Sequence, residues 1–311
     1  MAIDNNIEKS LHYNKTVELL FNAKKHSYAY RPVNDKNDFK SVDGTTTPLS
    51  IISKPAIIWW AVERALEHID KQWDINGDYD EITKAQILDE AKYAHRRSLK
   101  TASDTGTLTH SFIEKFIKSQ IAKTEMPPLP KNEEAKMASQ VFIDWAAKYK
   151  VRFLFSERKV LSLKYLFAGT MDIGCEIEGK HLVGDVKTSS GIYPEMFLQL
   201  GAYHLALEEE FPDKKWDDTF IIRCGKDGSL DIENSFGVRN EIFNSSEGKI
   251  PFDSRQCQQN KKGFLYALML FRRIKVMEAI QKEGLKDMEA MGRRQILETE
   301  KKTNKNESGV K

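Results

Sequence analysis

The spacing of apolar positions changes character near residue 150. Upstream, most apolar positions recur every three or four residues, the period of a helix that buries one stripe. This predicts helices over Asn14–Lys25, over AIIWWAVERALEHI, over Ile82–Leu99, from Thr107 to Ala122 and over Lys131–Tyr149. Ser53-Lys54-Pro55 opens the second of these, because proline suits a first helical turn. Ser103-Asp104-Thr105-Gly106 reads as a break before Thr107, and MPPLPKN as a linker. Two upstream pieces differ: HSYAYRP alternates like a short strand, and Asn34–Thr47 is polar and turn-rich.

Downstream, Val151–Leu161, Tyr165–Ile177 and Lys180–Thr188 are rich in β-branched and aromatic residues and read as three strands. A helix over Pro194–Glu210, a strand over Asp218–Cys224, loops to about Arg255 and a long helix over Gln256–Lys282 follow. The charged stretch Arg293–Lys311 has few apolar residues and predicts a frayed helix or disordered tail. The expected layout is α/β. Residues 1–90 form a mainly helical N-terminal extension, 91–285 the core and 286–311 a charged C-terminal tail.

The stretch GTMDIGCEIEGKHLVGDVKTSS places charges among apolar strand positions. If Glu178-Gly179 is a two-residue turn, Ile177 pairs with Lys180 and the register puts Asp172 opposite Asp185. Their Cβ atoms are then about 4.5–5.5 Å apart on one face. Lys187, two residues past Asp185, shares that face. Two carboxylates so close repel, and one protonates unless a cation lies between them. Oxygen ligands at this spacing suit Mg²⁺ or Mn²⁺, with the Val186 carbonyl as a further ligand. Lys187 can then position or deprotonate a water, or offset charge on an attacked phosphate. Acid-x-Lys triplets recur elsewhere, for example Glu90-Ala-Lys92 and Glu134-Ala-Lys136, where a solvated surface explains them. For the hairpin, a metal site and a cross-strand salt bridge both stay open.

Four surrounding features bear on that choice. Gln199 and Tyr203 are four apart on the following helix and share a face, either lining the site or forming a polar helix edge. His110 and Glu114 have the same spacing; His110 is a metal-site candidate or a satisfied structural histidine. Arg96, Arg97 and Lys100 lie in the run KYAHRRSLK, which suits backbone phosphates or is simply solvated. Glu157 in FLFSERKVL supports the site or faces solvent.

Composition narrows the field a little. Of 311 residues, 40% are apolar and 30% charged, with a net charge of +2, which excludes neither a nucleic-acid partner nor its absence. Three scattered cysteines, Cys175, Cys224 and Cys257, cannot supply a four-thiolate iron–sulfur cluster, and no CxxC pair exists. Free buried thiols are expected. No phosphate-binding GxxxxGK[ST] loop is present. MAIDNNIEKS lacks the apolar core of a signal peptide, and the longest apolar run, Pro55–Val62, is too short for a bilayer. A cytoplasmic protein without a membrane partner is expected.

In order along the chain, GTLTHSFIE, AGTMDI, VGDVKTSS and QLGAY resemble the motifs of the PD-(D/E)XK nuclease superfamily. The match is to the branch holding the RecB nuclease domain and related phage and CRISPR-associated exonucleases, and SIISKPAIIWWAVERAL is similar to the N-terminal part of phage-encoded members. The resemblance implies a restriction-endonuclease-like αβββαβ core, a mixed sheet flanked by helices, with helical additions at both ends. It implies Asp172 and Asp185 as Mg²⁺ or Mn²⁺ ligands beside the Val186 carbonyl. Lys187 would be the catalytic lysine, His110 a further metal-site residue, and Gln199 and Tyr203 site-lining helix residues. The expected activity is a metal-dependent DNA exonuclease that uses metal-activated water, serving recombination, repair or processing in a bacterial or phage-infected cell. A restriction-like or structure-specific endonuclease, or a non-catalytic DNA-binding protein, are the alternatives. Expected partners are linear duplex or single-stranded DNA and a single-strand annealing or recombination protein. Homo-oligomer formation stays open. Members with an iron–sulfur cluster carry four cysteines, so this chain resembles the cluster-free type.

Overall fold

Val17, Leu19 and Phe21 are buried while their neighbours Glu18, Leu20 and Asn22 are less so, a period of two rather than 3.6. The stretch expected to be a helix at Asn14–Lys25 is therefore a strand with its turns. Tyr13, Asn14 and Lys15 all have positive φ, which reverses the chain and no helix tolerates. The computed structural model describes residues 6–73, 77, 79–234 and 254–307. In it, the N-terminal segment is an antiparallel meander of β1 (Ile7–His12), β2 (Val17–Asn22), β3 (Ser27–Pro32) and β4 (Lys40–Gly44). The N-terminal extension is thus sheet first and helix only afterwards. HSYAYRP is a strand as expected.

The helices follow. α1 (Pro55–Gln72) starts at the expected proline. α2 (Glu81–Lys92) is capped by Asp80, whose side chain accepts from the Thr83 amide at 2.7 Å. The helix expected over Ile82–Leu99 stops at Tyr93, and α3 (Ala94–Ala122) runs unbroken through Ser103–Gly106. The Thr107 hydroxyl donates back to the Ser103 carbonyl at 2.9 Å, one turn earlier. Gly106 serves close approach rather than a break: a Cβ there would lie 3.1 Å from Thr188 Oγ1. α4 (Glu133–Lys148) begins at Asn132, which caps the Ala135 amide.

Then come β5 (Arg152–Ser162), β6 (Phe167–Ile177), β7 (Lys180–Lys187), α5 (Pro194–Glu210), β8 (Asp218–Cys224), β9 (Leu230–Asn234) and α6 (Ser254–Glu307). β9 lies where only loop was expected; residues 235–253 of that expected loop are outside the described residues. α6 continues as helix to Glu307, through most of the expected tail. The fold is α/β, with one mixed sheet of nine described strands flanked by helices.

α3 and α4 cover the sheet through Phe112, Ile113, Phe116, Ile117, Phe142 and Trp145, which pack with Ile173, Leu182, Val186 and Phe220. Each such side chain removed from water contributes about 1.5–3 kcal/mol. α5 buries Leu200, Tyr203, Ala206 and Leu207. The three cysteines are buried free thiols. The chain divides into one unit ending at Leu265 and a second from Tyr266, the remainder of α6. In that second unit the Lys275 amine lies 4.1 Å from the Phe271 ring centroid. No helix among the described residues is long and apolar enough to cross a membrane.

β6 is the strand that positions the site. β5 pairs with it between Phe167 and Glu176, except at Asp172. Its other edge is shared: β4 runs parallel at Phe167–Ala168, and β7 runs antiparallel at Ile173–Ile177. Residues 169–172 between them have neither β4 nor β7 as a ladder partner, and the sheet splays there.

Candidate metal centre

The turn at Glu178 (φ 51°) and Gly179 (φ 76°) has positive φ at both central positions, which matches the twist of the flanking strands. The register is the expected one, from Ile177↔Lys180 to Ile173↔Gly184. The next position brings Asp172 level with Asp185, but there the ladder ends. Asp172 Oδ2 instead accepts the Val186 amide at 2.8 Å, so a side chain takes over from the strand backbone. The Val186 side chain is buried in the core formed with α3 and α4.

β5 adds a third acid. Ser156↔Ile173 and Arg158↔Met171 flank a gap in which Glu157 faces Asp172. Glu157 has φ 49°, an unusual conformation for a side-chain-bearing residue, on a strand whose register has already shifted between Phe153 and Phe155. Glu157, Asp172 and Asp185 therefore sit level on three adjacent strands. From α3, His110 Nδ1 lies 3.6 Å from Asp172 Oδ2. His110, Glu157 and Asp172 each offer a ligand atom within 4.8 Å of the other two.

Asp185 is 1% exposed, and its Oδ1 is buried without a hydrogen-bond donor. Its Oδ2 is paired with Lys187. Burial pushes the Asp185 carboxyl up to about 6, with Asp172 adding repulsion and Lys187 opposing both. Burial pushes Glu157 up to about 8, reinforced by Asp172 and Glu114. Burial pulls the Lys187 amine down, but the Asp185 and Asp172 carboxylates outweigh it and hold it above its ordinary value. The pairing across the hairpin is thus between two acids, and the lysine pairs within its own strand.

These groups open onto a cavity of about 250 Å³. Asp172, Asp185, Lys187, His110, Gln199 and Tyr203, all singled out in the sequence, line it together, as does Glu157. Gln199 donates to the Tyr203 hydroxyl at 2.6 Å. Glu114 does not line the cavity; it pairs with Lys118 and acts on Glu157 only through charge. Nor do Arg96, Arg97 and Lys100, which lie 10–14 residues before His110 on α3, about 15–20 Å along the axis. Arg97 donates to the Glu90 carbonyl at 3.0 Å, and Arg96 lies over the Tyr93 ring.

Sequence reading missed the opposite wall. Tyr28, Thr45 and Thr46 come from the N-terminal meander, with Thr170 beside them. The Tyr28 and Thr170 hydroxyls are 2.9 Å apart, and the Thr45 amide donates to the Ala168 carbonyl at 2.9 Å. The strand alternation of HSYAYRP was the one available signal for this wall. Two features fit a divalent ion: an imidazole and two carboxylates with ligand atoms within 4.8 Å of one another, and a buried carboxylate oxygen with no donor.

No known family model matches this sequence, and no curated protein is similar to it. Fold and site together define an α/β protein with a mixed sheet and a candidate acidic metal centre at the point where that sheet splays.

Proposed function

We propose that this chain is a divalent-metal-dependent deoxyribonuclease of the PD-(D/E)XK superfamily, of the RecB-like and phage exonuclease type, built on a restriction-endonuclease-like core. The observation that carries the reading is the convergence of Asp172, Asp185, Glu157 and His110 with Lys187 in one cavity, with Asp185 Oδ1 left without a donor. Asp172, Glu157 and His110, with Asp185 beside them, would hold Mg²⁺ or Mn²⁺. A bound ion supplies Lewis-acid polarisation of a phosphodiester and a more acidic water.

The chain's own groups do the rest. Lys187, kept as an ammonium by two carboxylates, is suited to offset charge that develops on phosphate oxygens. Its amine pairs with Asp185 Oδ2. The Tyr203 hydroxyl is held neutral by burial and by the nearby Asp185 and Asp172, so it can donate a hydrogen bond. Gln199 orients it. Arg96, Arg97 and Lys100, about 15–20 Å from His110 along α3, would take phosphates some five base steps away along a strand. The proposed setting is the cytoplasm of a bacterial or phage-infected cell, acting on linear duplex or single-stranded DNA beside a single-strand annealing or recombination protein.

The test is a time course on end-labelled linear duplexes, single strands and covalently closed circles with Mg²⁺ or Mn²⁺, with and without EDTA. Mononucleotide or short-oligonucleotide release from ends, blocked by EDTA, is expected. Cutting of closed circles would replace the exonuclease reading with an endonuclease. Inert wild-type protein that still binds DNA would replace it with a binding protein.

A further inference from the structure

A second cavity, of about 420 Å³, lies against the edge strand β1 and is lined by Ser10, Leu11, His12, Phe155 and Arg158 among others. Ser10 and His12 are two apart on that strand, so both side chains point the same way. Ser10 Oγ lies 2.8 Å from His12 Nε2. The other ring nitrogen, His12 Nδ1, lies 3.2 and 3.1 Å from the two carboxylate oxygens of Glu210. His12 and Glu210 are each only 3% exposed at the side chain. A carboxylate on Nδ1 fixes the tautomer with its proton there, which leaves Nε2 to accept from the serine hydroxyl.

The acid is held in place. Its neighbour Glu209 anchors the end of α5, accepting from the Tyr13 hydroxyl at 2.8 Å, the Ser162 hydroxyl at 2.6 Å and the Leu163 and Lys164 amides at 2.8 and 2.9 Å. Arg158 Nη2 sits 3.7 Å from Glu210, and Arg158 also lines the cavity. The metal centre uses none of Ser10, His12 or Glu210.

We propose that Ser10, His12 and Glu210 form a second, metal-independent catalytic site that hydrolyses small carboxylic esters. Ser10 Oγ attacks the ester carbonyl carbon while its proton passes to His12 Nε2. The carbon–oxygen bond to the alcohol breaks, and the alcohol leaves with that proton. Water then attacks the acyl-serine, His12 takes and returns one proton, and the carboxylic acid departs with Ser10 restored. Glu210 holds the imidazole and stabilises its charged form. Phe155 provides an apolar surface for the acyl group. The volume lies within the usual range for small-molecule sites.

The experiment uses the full chain, 4-nitrophenyl acetate as substrate and a fluorophosphonate as covalent probe. Ester hydrolysis unaffected by EDTA and a probe adduct mapped to the Ser10 peptide are expected, and insensitivity to EDTA separates this site from the nuclease reading. Ser10→Ala should abolish the adduct while keeping the wild-type melting curve, and His12→Gln should slow hydrolysis by about 10²–10⁴-fold. If His12→Gln fails to fold, Ser10→Ala decides alone. Absence of a Ser10 adduct in folded wild-type protein, or wild-type hydrolysis by Ser10→Ala, overturns the proposal and leaves the three groups as a tie between β1 and α5.

Discussion

β6 receives two strands along one edge, and they arrive in opposite ways. β7 comes through the turn at Glu178-Gly179 and pairs at once, down to Ile173↔Gly184. β4 comes from far upstream, pairing Gly44 with Ala168, and brings the whole N-terminal meander with it. The β7 side contributes charge: Asp172, Asp185 and Lys187. The meander side contributes the hydroxyls of Tyr28, Thr45 and Thr46 and the imidazole of His26. The β7 side is held by a local turn and a deep core, the meander by a short parallel contact and a smaller cluster around Val17, Leu19, Phe21 and Tyr28. One side is equipped for chemistry and the other for shape, so changes on the two should separate into loss of rate and loss of fit.

The largest expected effect is on the charged side. Asp185→Ala and Lys187→Ala should each lower Mg²⁺-dependent DNA cleavage by about 10³-fold, as loss of a main electrostatic stabiliser does. DNA binding without metal should change little in gel-shift titrations. Equal cleavage by wild type and both variants would break the comparison at its root.

Next come the ligand candidates that the sequence ranked lower. Glu157→Ala and His110→Ala should raise the Mn²⁺ concentration needed for half-maximal activity by about 10–100-fold. An unchanged Mn²⁺ titration for Glu157→Ala would remove β5 from the site.

On the meander side, Gly169→Ala should act through packing. A Cβ there would lie 2.7 Å from Thr45 and from the Tyr203 ring, and inserting a methyl into a filled site costs about 1–3 kcal/mol. Chemical denaturation should show the loss, whereas the same change at exposed Gly284, where a Cβ meets nothing, should not destabilise.

A pH effect should connect the two sides. Glu157 and Asp185 titrate at about 8 and about 6 in the folded chain, above their unfolded values. Groups raised in this way contribute stability that is fully present below the unfolded carboxylate range and lost as pH rises through those folded values. The metal-free protein should therefore lose several degrees of melting temperature between pH 5 and 8, since about 1 kcal/mol corresponds to some 2–4 °C in a domain of this size. Glu157→Gln should flatten the upper part of that loss. The smallest effect is expected of Tyr28→Phe, which removes one hydroxyl contact to Thr170 at about 1 kcal/mol.

Legibility followed the distance over which each feature is decided. The hairpin register was readable because its turn, alternation and acids lie within twenty residues, and local pairing leaves few alternatives. The helix pair Gln199 and Tyr203 was readable by spacing, although whether it reached the acids was not. Glu157 was undervalued because a bulge and a positive φ turn it toward Asp172, and a bulge leaves little trace in composition. The meander was misread at Asn14–Lys25 because Val17, Leu19, Leu20 and Phe21 satisfy a helical and a strand period at once in so short a window. Gly106 resembled a breaker, yet it sits inside α3, where its missing side chain lets Thr188 approach.

The sequence by itself determined the β6–β7 hairpin, its two aspartates and lysine on a common face, and the helices whose periodicity spans several turns. These depend on neighbours along the chain, and backbone geometry permits few other outcomes. Tertiary structure alone decided that β4 would dock beside Ala168, that Glu157 would join Asp172, and that Thr45 and Tyr28 would close the cavity. Those contacts join residues far apart in the chain, and each forms only because packing of the whole sheet outweighs the entropy of bringing them together.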